Sequence, residues 1–312
     1  MNFDFADWRH PPVNNVDILG DPHLGRSFLH GVPLHRRGER EELVFQHFEW
    51  SLAQRSAPVH VCMGDLFHRA VVAPGVVLRA ARAYVRAAQR GGLWVVLAGN
   101  HDLARDLEQV SSFDLFAEIV TAAASNIVVV RDRPHVVDDL LFVPWSPTMS
   151  AKEMVAPFQG QPFSTAFGHW DVVNPSSDTN LVPEMPNVGC MVTGHDHLRR
   201  RVSERLLVTG SMQPYAHGED WRGTMYQTVT PDEVPSDPHY QCLRIVAPAM
   251  PQELENLDAL QISLLPPRAE ESAVVELSLD GFDMRTAWEE TFSEFGVSAA
   301  LRDQLFEQWS AV

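Results

Sequence analysis

The feature that most constrains the fold is a repeated ending. VDILG (16–20), VHVCMG (59–64), LWVVLAG (93–99) and GCMVTG (189–194) are short apolar runs rich in β-branched residues, and Asp, Asn or His follows each closing glycine at once. Runs of this length and composition read as strands. Four more, NIVVV (126–130), LLFVPW (140–145), TAFGHW (165–170) and LLVTG (206–210), complete the set. Between them lie longer segments of helical pattern. EELVFQHFEWSLAQR (41–55) sets Val44, Phe48 and Leu52 on one face, and VVLRAARAYVRAAQR (76–90) is a second amphipathic helix. The alternation predicts an α/β fold. In the second helix Arg79, Arg82, Arg86 and Arg90 form one stripe, expected to be a solvated face.

No internal repeat or low-complexity tract interrupts this order. From about 229 to 270 the chain is rich in proline and acids (TPDEVPSDP, LPPRAEE), which predicts loops around two or three strands of a smaller region. The last segment changes character. Trp288, Phe292 and Phe295 recur at helical spacing, Gly296 interrupts, and Ser298 can cap a second helix carrying Leu301, Leu305 and Trp309. The expected organisation is a main domain over 1–248, a small α+β cap over 249–281, and a helical hairpin over 282–312.

Composition narrows the function classes. The chain of 312 residues is long enough for a sizeable core. Its three cysteines, Cys62, Cys190 and Cys242, lack the spacing of a disulfide framework or zinc site, and Cys62 and Cys190 are expected to be buried structural thiols. The first twenty residues contain no basic region followed by an apolar run, and no segment approaches the length of a membrane span, so a cytoplasmic protein without membrane association is expected. Residues 218–312 hold 18 acids and 5 bases, which concentrates there most of the formal net charge of −17. So acidic a chain has no long-range attraction to nucleic acid, and action on phosphodiesters would need local cations or a partner.

The chemistry gathers behind the strands. VDILG leads into Asp21 and His23, VHVCMG into Asp65 and His68, and LWVVLAG into Asn100, His101 and Asp102; TAFG ends on His169, and GCMVTG leads into His195 and His197. Open α/β sheets place ligands at the carboxyl ends of their strands. Taken singly, each histidine reads equally well as a satisfied polar residue at a strand end. Five such clusters on one edge point to a metal centre. Carboxylate, amide oxygen and imidazole without thiolate suit Mn²⁺, Fe²⁺ or Mg²⁺, with a catalytic Zn²⁺ also admitted and a structural zinc disfavoured, and two Mn²⁺ ions are the expected cofactor. Seven candidate ligands exceed the needs of one ion and suit two octahedral ions sharing a carboxylate. Such a pair, roughly 3.5 to 4 Å apart, clamps a phosphoryl group and lowers the pKa of a bridging water.

GDPH (20–23), GDLFH (64–68), GNHD (99–102), GH (168–169) and GHDH (194–197) resemble, in order and spacing, the calcineurin-like metallophosphoesterases, and within them the SbcD-type DNA nucleases most closely. Histidine ends GDLFH where protein phosphatases of the family carry aspartate, and GSMQPYAHGE (210–219) is similar to the SbcD pattern GSxQPxSFGE, departing from it at Ala216 and His217. The resemblance spans about residues 16–219. It implies a β-sandwich flanked by helices, with Asp21, His23 and His197 on one metal, Asp65 bridging, and Asn100, His169 and His195 on the other. It further implies that His101 serves the leaving oxygen as a proton donor and that His68 orients the scissile phosphate or backbone. Asp102 is read either as orienting a catalytic imidazole or as capping the helix that follows. Arg199, Arg200 and Arg201, beside the metals, are the local candidates for holding a phosphate backbone or else a solvated strand.

Within the family the nuclease pairs with SbcC, a coiled-coil ATPase, and the complex cuts DNA ends and hairpins. The resemblance therefore implies DNA as substrate and an SbcC-like ATPase as partner, with the C-terminal hairpin either docking on that partner or folding back on its own sheet. With a net charge of −17, the isolated chain is expected to bind DNA weakly and to rely on such a partner or on homodimerisation. A phosphatase or phosphodiesterase acting on nucleotides or other small esters with the same metals is the alternative, followed by a non-catalytic scaffold.

Overall fold

A computed structural model of the chain describes residues 4–267, apart from residues 55, 105–108, 175, 177–178 and 255. The expected hairpin at 282–312 lies outside the described residues. The chain enters β1 (Val16–Leu19), α1 (Glu39–Ala53), β2 (Val59–Cys62), α2 (Pro74–Ala88), β3 (Leu93–Leu97), α3 (Ser112–Ala123) and β4 (Ile127–Val130). These four strands pair in parallel in the order β1-β2-β3-β4. The chain continues through β5 (His135–Val137), β6 (Leu140–Val143), α4 (Ala151–Val155), β7 (Phe163–Gly168), β8 (Val188–Thr193), β9 (Arg200–Arg201) and β10 (Leu206–Val208). They form a second sheet in the order β5-β6-β7-β8-β10-β9, parallel from β6 to β10 with an antiparallel strand at each edge. The fold is thus mixed α/β with parallel sheets, as the alternation predicted.

The two sheets share one apolar layer. Val16, Ile18, Val61, Met63, Val95, Leu97 and Val130 of the first meet Leu140, Phe142, Phe167 and Val192 of the second. The helices cover the other face of the first sheet, where Phe48, Tyr84, Trp94, Phe113 and Phe116 pack. Covering on both faces explains why β1 and β6 are buried at every position; β6 is apolar throughout, and Asp17 of β1 is buried with its carboxylate accepting from the Ser56 and Ala57 amides. The helix α3 has a local cause that the chain displays at its start. The Ser111 side chain accepts from the Asp114 amide while the Asp114 carboxylate accepts from the Ser111 amide, a capping box.

The arginine stripe on α2 is solvated as expected at Arg82, Arg86 and Arg90, which are exposed, and departs from that expectation at Arg79, which is half-buried. Arg79 donates to Glu42 at 2.6 Å and to Glu49 at 3.1 Å, Arg86 reaches Glu49, and Arg90 donates to the Leu52 carbonyl. The guanidinium of Arg79 also lies over the Phe45 ring at 4.3 Å. Arg79 and Arg86 thus meet acids of α1 that a single helix pattern does not bring into view, and they tie the two helices together.

The smaller region is a third sheet of β11 (Tyr226–Val229), β12 (Cys242–Val246) and β13 (Gln261–Leu265), all parallel. The expected boundary at 248 falls inside it, because β12 and β13 pair residue by residue across that point. Cys62 and Cys242 are buried, whereas Cys190, expected to be buried, is only half-buried at the margin of the apolar layer between the two sheets. Among the described residues no helix is long and apolar enough to cross a membrane.

Candidate metal centre

The carboxyl ends of both sheets meet at one edge, and backbone hydrogen bonds lock them together. The His23 amide donates to the Asp65 carbonyl at 2.9 Å, the Met212 amide to the Asp21 carbonyl at 3.1 Å, and the Gly194 amide to the Gly168 carbonyl at 3.0 Å. Carboxylates continue the lacing: the His195 amide donates to Asp21 at 2.7 Å and the His101 amide to Asp65 at 2.9 Å. Three of the predicted ligands, His23, Asp65 and His195, hold positive φ values of 45°, 49° and 73°. Such backbone is costly for residues with a Cβ and persists where the surroundings over-determine it, which is common at functional sites.

The structure brings all seven predicted ligands together in two adjacent groups. Ligand atoms of Asp21, His23 and His197 lie within 4.8 Å of one another, as do those of Asp65, His169 and His195. Asn100 joins the second group, its Oδ1 2.9 Å from His195 Nδ1 and 3.0 Å from His169 Nε2. Asp65 stands between the groups, 3.6 Å from His23 Nε2 and 3.5 Å from His169 Nε2.

The imidazoles are oriented from behind. His169 Nδ1 donates to the Met63 carbonyl at 2.9 Å, which turns Nε2 inward. Two carboxylates that the sequence did not single out do the same work. Asp171 meets His195 Nε2 at 2.7 Å, leaving Nδ1 inward, and Glu219 meets His197 Nδ1 at 3.0 Å, leaving Nε2 2.8 Å from His23 Nε2. Glu219 also accepts from the Tyr215 amide, so the 210–219 segment reaches the centre through its last residue. That segment is itself braced: the Tyr215 hydroxyl donates to the Pro22 carbonyl, and the buried Arg40 of α1 donates to Gln213 and the Pro214 carbonyl. Carboxylate–imidazole pairs of this kind set the tautomer of a metal ligand and raise its basicity. We therefore expect Asp171→Asn and Glu219→Gln each to weaken Mn²⁺ binding by about 10- to 100-fold, measured calorimetrically. Unchanged affinity in both variants would show that the two carboxylates do not orient ligands.

The donor set fits divalent cations. Two imidazole nitrogens face each other at 2.8 Å, and Asp21 Oδ1 and His23 Nδ1 are buried without a hydrogen-bond partner. Bare convergent lone pairs in a buried site are unfavourable, and a cation relieves them. Without one, protons serve in its place. Burial pushes the Asp21 carboxyl up to about 7 even with His169 and His197 nearby. Burial opposes the imidazolium of His169, yet the Asp65 carboxylate beside it prevails and raises that group to about 10. A cation must displace these protons, so its binding is favoured by high pH. We expect Mn²⁺ affinity to fall as pH is lowered, most steeply below about pH 7 where Asp21 also becomes protonated. A dissociation constant that stays flat between pH 6 and 8.5 would contradict this account.

The remaining predicted residues divide. His101 Nδ1 donates to the His68 carbonyl at 2.7 Å, its ring stands edge-on to His23 at 5.0 Å and stacks on His68 at 5.6 Å. Both rings therefore border the first metal group. Asp102 takes neither of the roles read for it: wholly buried, it accepts from the Gly99, Leu66 and Phe67 amides at 2.9, 3.2 and 2.8 Å, and α3 begins ten residues later with Ser111 as its cap. It ties the loop after β3 to the loop after β2 and touches no imidazole. Of the three arginines, Arg200 pairs with Asp196 at 2.6 Å and Arg201 donates to the Glu204 carbonyl at 3.1 Å, which leaves Arg199. His217 faces the third sheet, against Tyr226 and Thr228. No family model and no curated protein matches the chain.

Proposed function

We propose that the chain is a two-metal phosphodiesterase of the calcineurin-like type acting on DNA, close to the SbcD nucleases. The observation that carries this reading is the convergence of Asp21, His23, Asp65, Asn100, His169, His195 and His197 into two groups that share Asp65. Divalent cations there would supply Lewis-acid polarisation of the phosphoryl oxygens and neutralise charge that builds during displacement. The chain's own residues supply orientation and proton handling. His101, fixed through its Nδ1, presents Nε2 toward the reaction edge, where a proton is delivered to the 3′ oxygen as its bond to phosphorus breaks and water adds on the opposite side. His68 lies beside it at the same rim and would contact the flanking phosphate. An SbcC-like coiled-coil ATPase, or a second copy of the chain, would hold the acidic protein on DNA.

The test is a Mn²⁺-dependent assay on linear duplex, single-stranded DNA and bis-p-nitrophenyl phosphate. We expect cleavage of DNA, and a loss of about 10²- to 10⁴-fold in His101→Ala with Mn²⁺ affinity kept, since this histidine lies outside the ligand set. Hydrolysis confined to the small ester would falsify the nuclease reading and favour the phosphodiesterase alternative.

A further inference from the structure

Beside the metal groups the chain builds a second feature that the centre does not use. Trp8, Arg199, Trp221, His197 and Glu219 line one shallow surface cleft, open to solvent. Trp221 is 51% exposed, whereas Trp8, Trp94 and Trp170 are buried. Its ring plane is held in place: Trp8 meets it edge-on at 6.1 Å, and the Arg222 guanidinium lies over it at 4.8 Å while pairing with Asp7 at 2.9 Å. Arg199 is half-buried and, among the described residues, its guanidinium has no hydrogen-bond or ion-pair partner. An exposed indole and a cation awaiting an anion, in one cleft that reaches the predicted ligand His197 and the Glu219 behind it, suit the base and the phosphate of a nucleotide unit.

We infer that this cleft is a subsite for single-stranded nucleic acid, with Trp221 stacking one base and Arg199 holding the phosphate attached to it, next to the bond presented to the metals. The inference rests on the two-metal reading for the bond being cut, but not for the binding itself. Stacking suits the site because every base offers a π face, so the subsite favours strand over sequence. It also accounts for how an acidic chain engages a polyanion: among the described residues Arg199 is the arginine of the run that no other group engages, and the other two are spent within the protein. A duplex keeps its bases stacked on one another, so an end or an unpaired segment is the form that fits.

Two measurements test it separately from the chemistry. In EDTA, titration of the wild-type chain with a short oligothymidylate should quench tryptophan emission in a saturable manner, Trp221→Phe should abolish that quenching, and Arg199→Ala should weaken binding with Arg199→Lys restoring part of it. With Mn²⁺, Trp221→Ala should raise KM for the oligonucleotide by about tenfold relative to KM for bis-p-nitrophenyl phosphate. Should neither ester be hydrolysed, the two-metal reading fails while the quenching titration still decides the subsite. Quenching that survives in Trp221→Phe, or equal changes on both substrates, overturns the subsite and leaves the metal centre standing.

Discussion

Asp65→Asn should abolish Mn²⁺-dependent hydrolysis and lower the affinity for Mn²⁺ by at least about 100-fold, because its carboxylate lies within reach of both groups. The loss of a shared anionic ligand removes several kcal/mol of electrostatic stabilisation, equivalent to a rate loss of about 10³-fold or more. The substitution is chosen to spare the fold. Asparagine has the same shape and keeps an oxygen to accept the His101 amide at the site of the present 2.9 Å hydrogen bond. In the wild-type chain burial works against the ionised form of Asp65, yet His169 and His23 beside it hold its pKa below the ordinary carboxylate range. In the variant those imidazoles lose their anion, so His169 should titrate well below its present value, a change that NMR of its ring protons reads directly. Two full-affinity Mn²⁺ sites in Asp65→Asn would rule out the shared-ligand arrangement.

The second large effect is expected from a residue with no side chain. A Cβ on Gly99 would stand 2.2 Å from Asp65 Oδ1 and 2.3 Å from the Asp65 amide nitrogen. Neither atom can yield easily, since Asp65 holds a φ of 49° and its carboxylate is engaged with the His101 amide. Gly99→Ala should therefore cost about 1 to 3 kcal/mol of stability by overpacking. It should also reduce hydrolysis by on the order of 10²-fold, because displacing a ligand by about 1 Å is enough to misalign the reacting groups. Gly75→Ala is the control: nothing lies within 4 Å of its added Cβ, and in the first turn of α2 the change should be neutral or mildly stabilising. Equal melting temperatures and equal Mn²⁺ affinities in the two variants would refute the close-approach explanation for Gly99. The same reasoning extends to Gly64, where a Cβ would meet His169 Nδ1 at 2.4 Å. Gly64, Gly99 and Gly194 serve as clearance for carboxylate and imidazole as much as for tight turns.

The strands and the ligands were legible in the chain because both are written locally. A strand covered on two faces needs an unbroken apolar run, and a parallel sheet delivers whatever follows that run to one edge. Asp21, Asp65, Asn100, His169, His195 and His197 could therefore be picked out from VDILG, VHVCMG, LWVVLAG, TAFG and GCMVTG alone. The helix α3 carried an equally local signal in the serine and aspartate of its capping box.

The residues that act across the fold were not legible. Asp171 and Glu219 are ordinary acids in the sequence, and only the packing of the loops after β7 and β10 turns them onto His195 and His197. Asp102 lies in the GNHD motif, but its partners are three backbone amides of two different loops, and no spacing encodes those. The arginine run is divided by its surroundings: Arg200 by Asp196, Arg201 by the Glu204 carbonyl, and Arg199 by a cleft that also holds Trp221. Sequence by itself determined the α/β class, the edge at which ligands gather and the types of donor, since these follow from periodicity and residue chemistry along one stretch of chain. Tertiary structure alone decided which nitrogen of each imidazole faces inward and which cation is left free, because both depend on hydrogen bonds between segments as distant as His197 and Glu219 or Asp21 and His195.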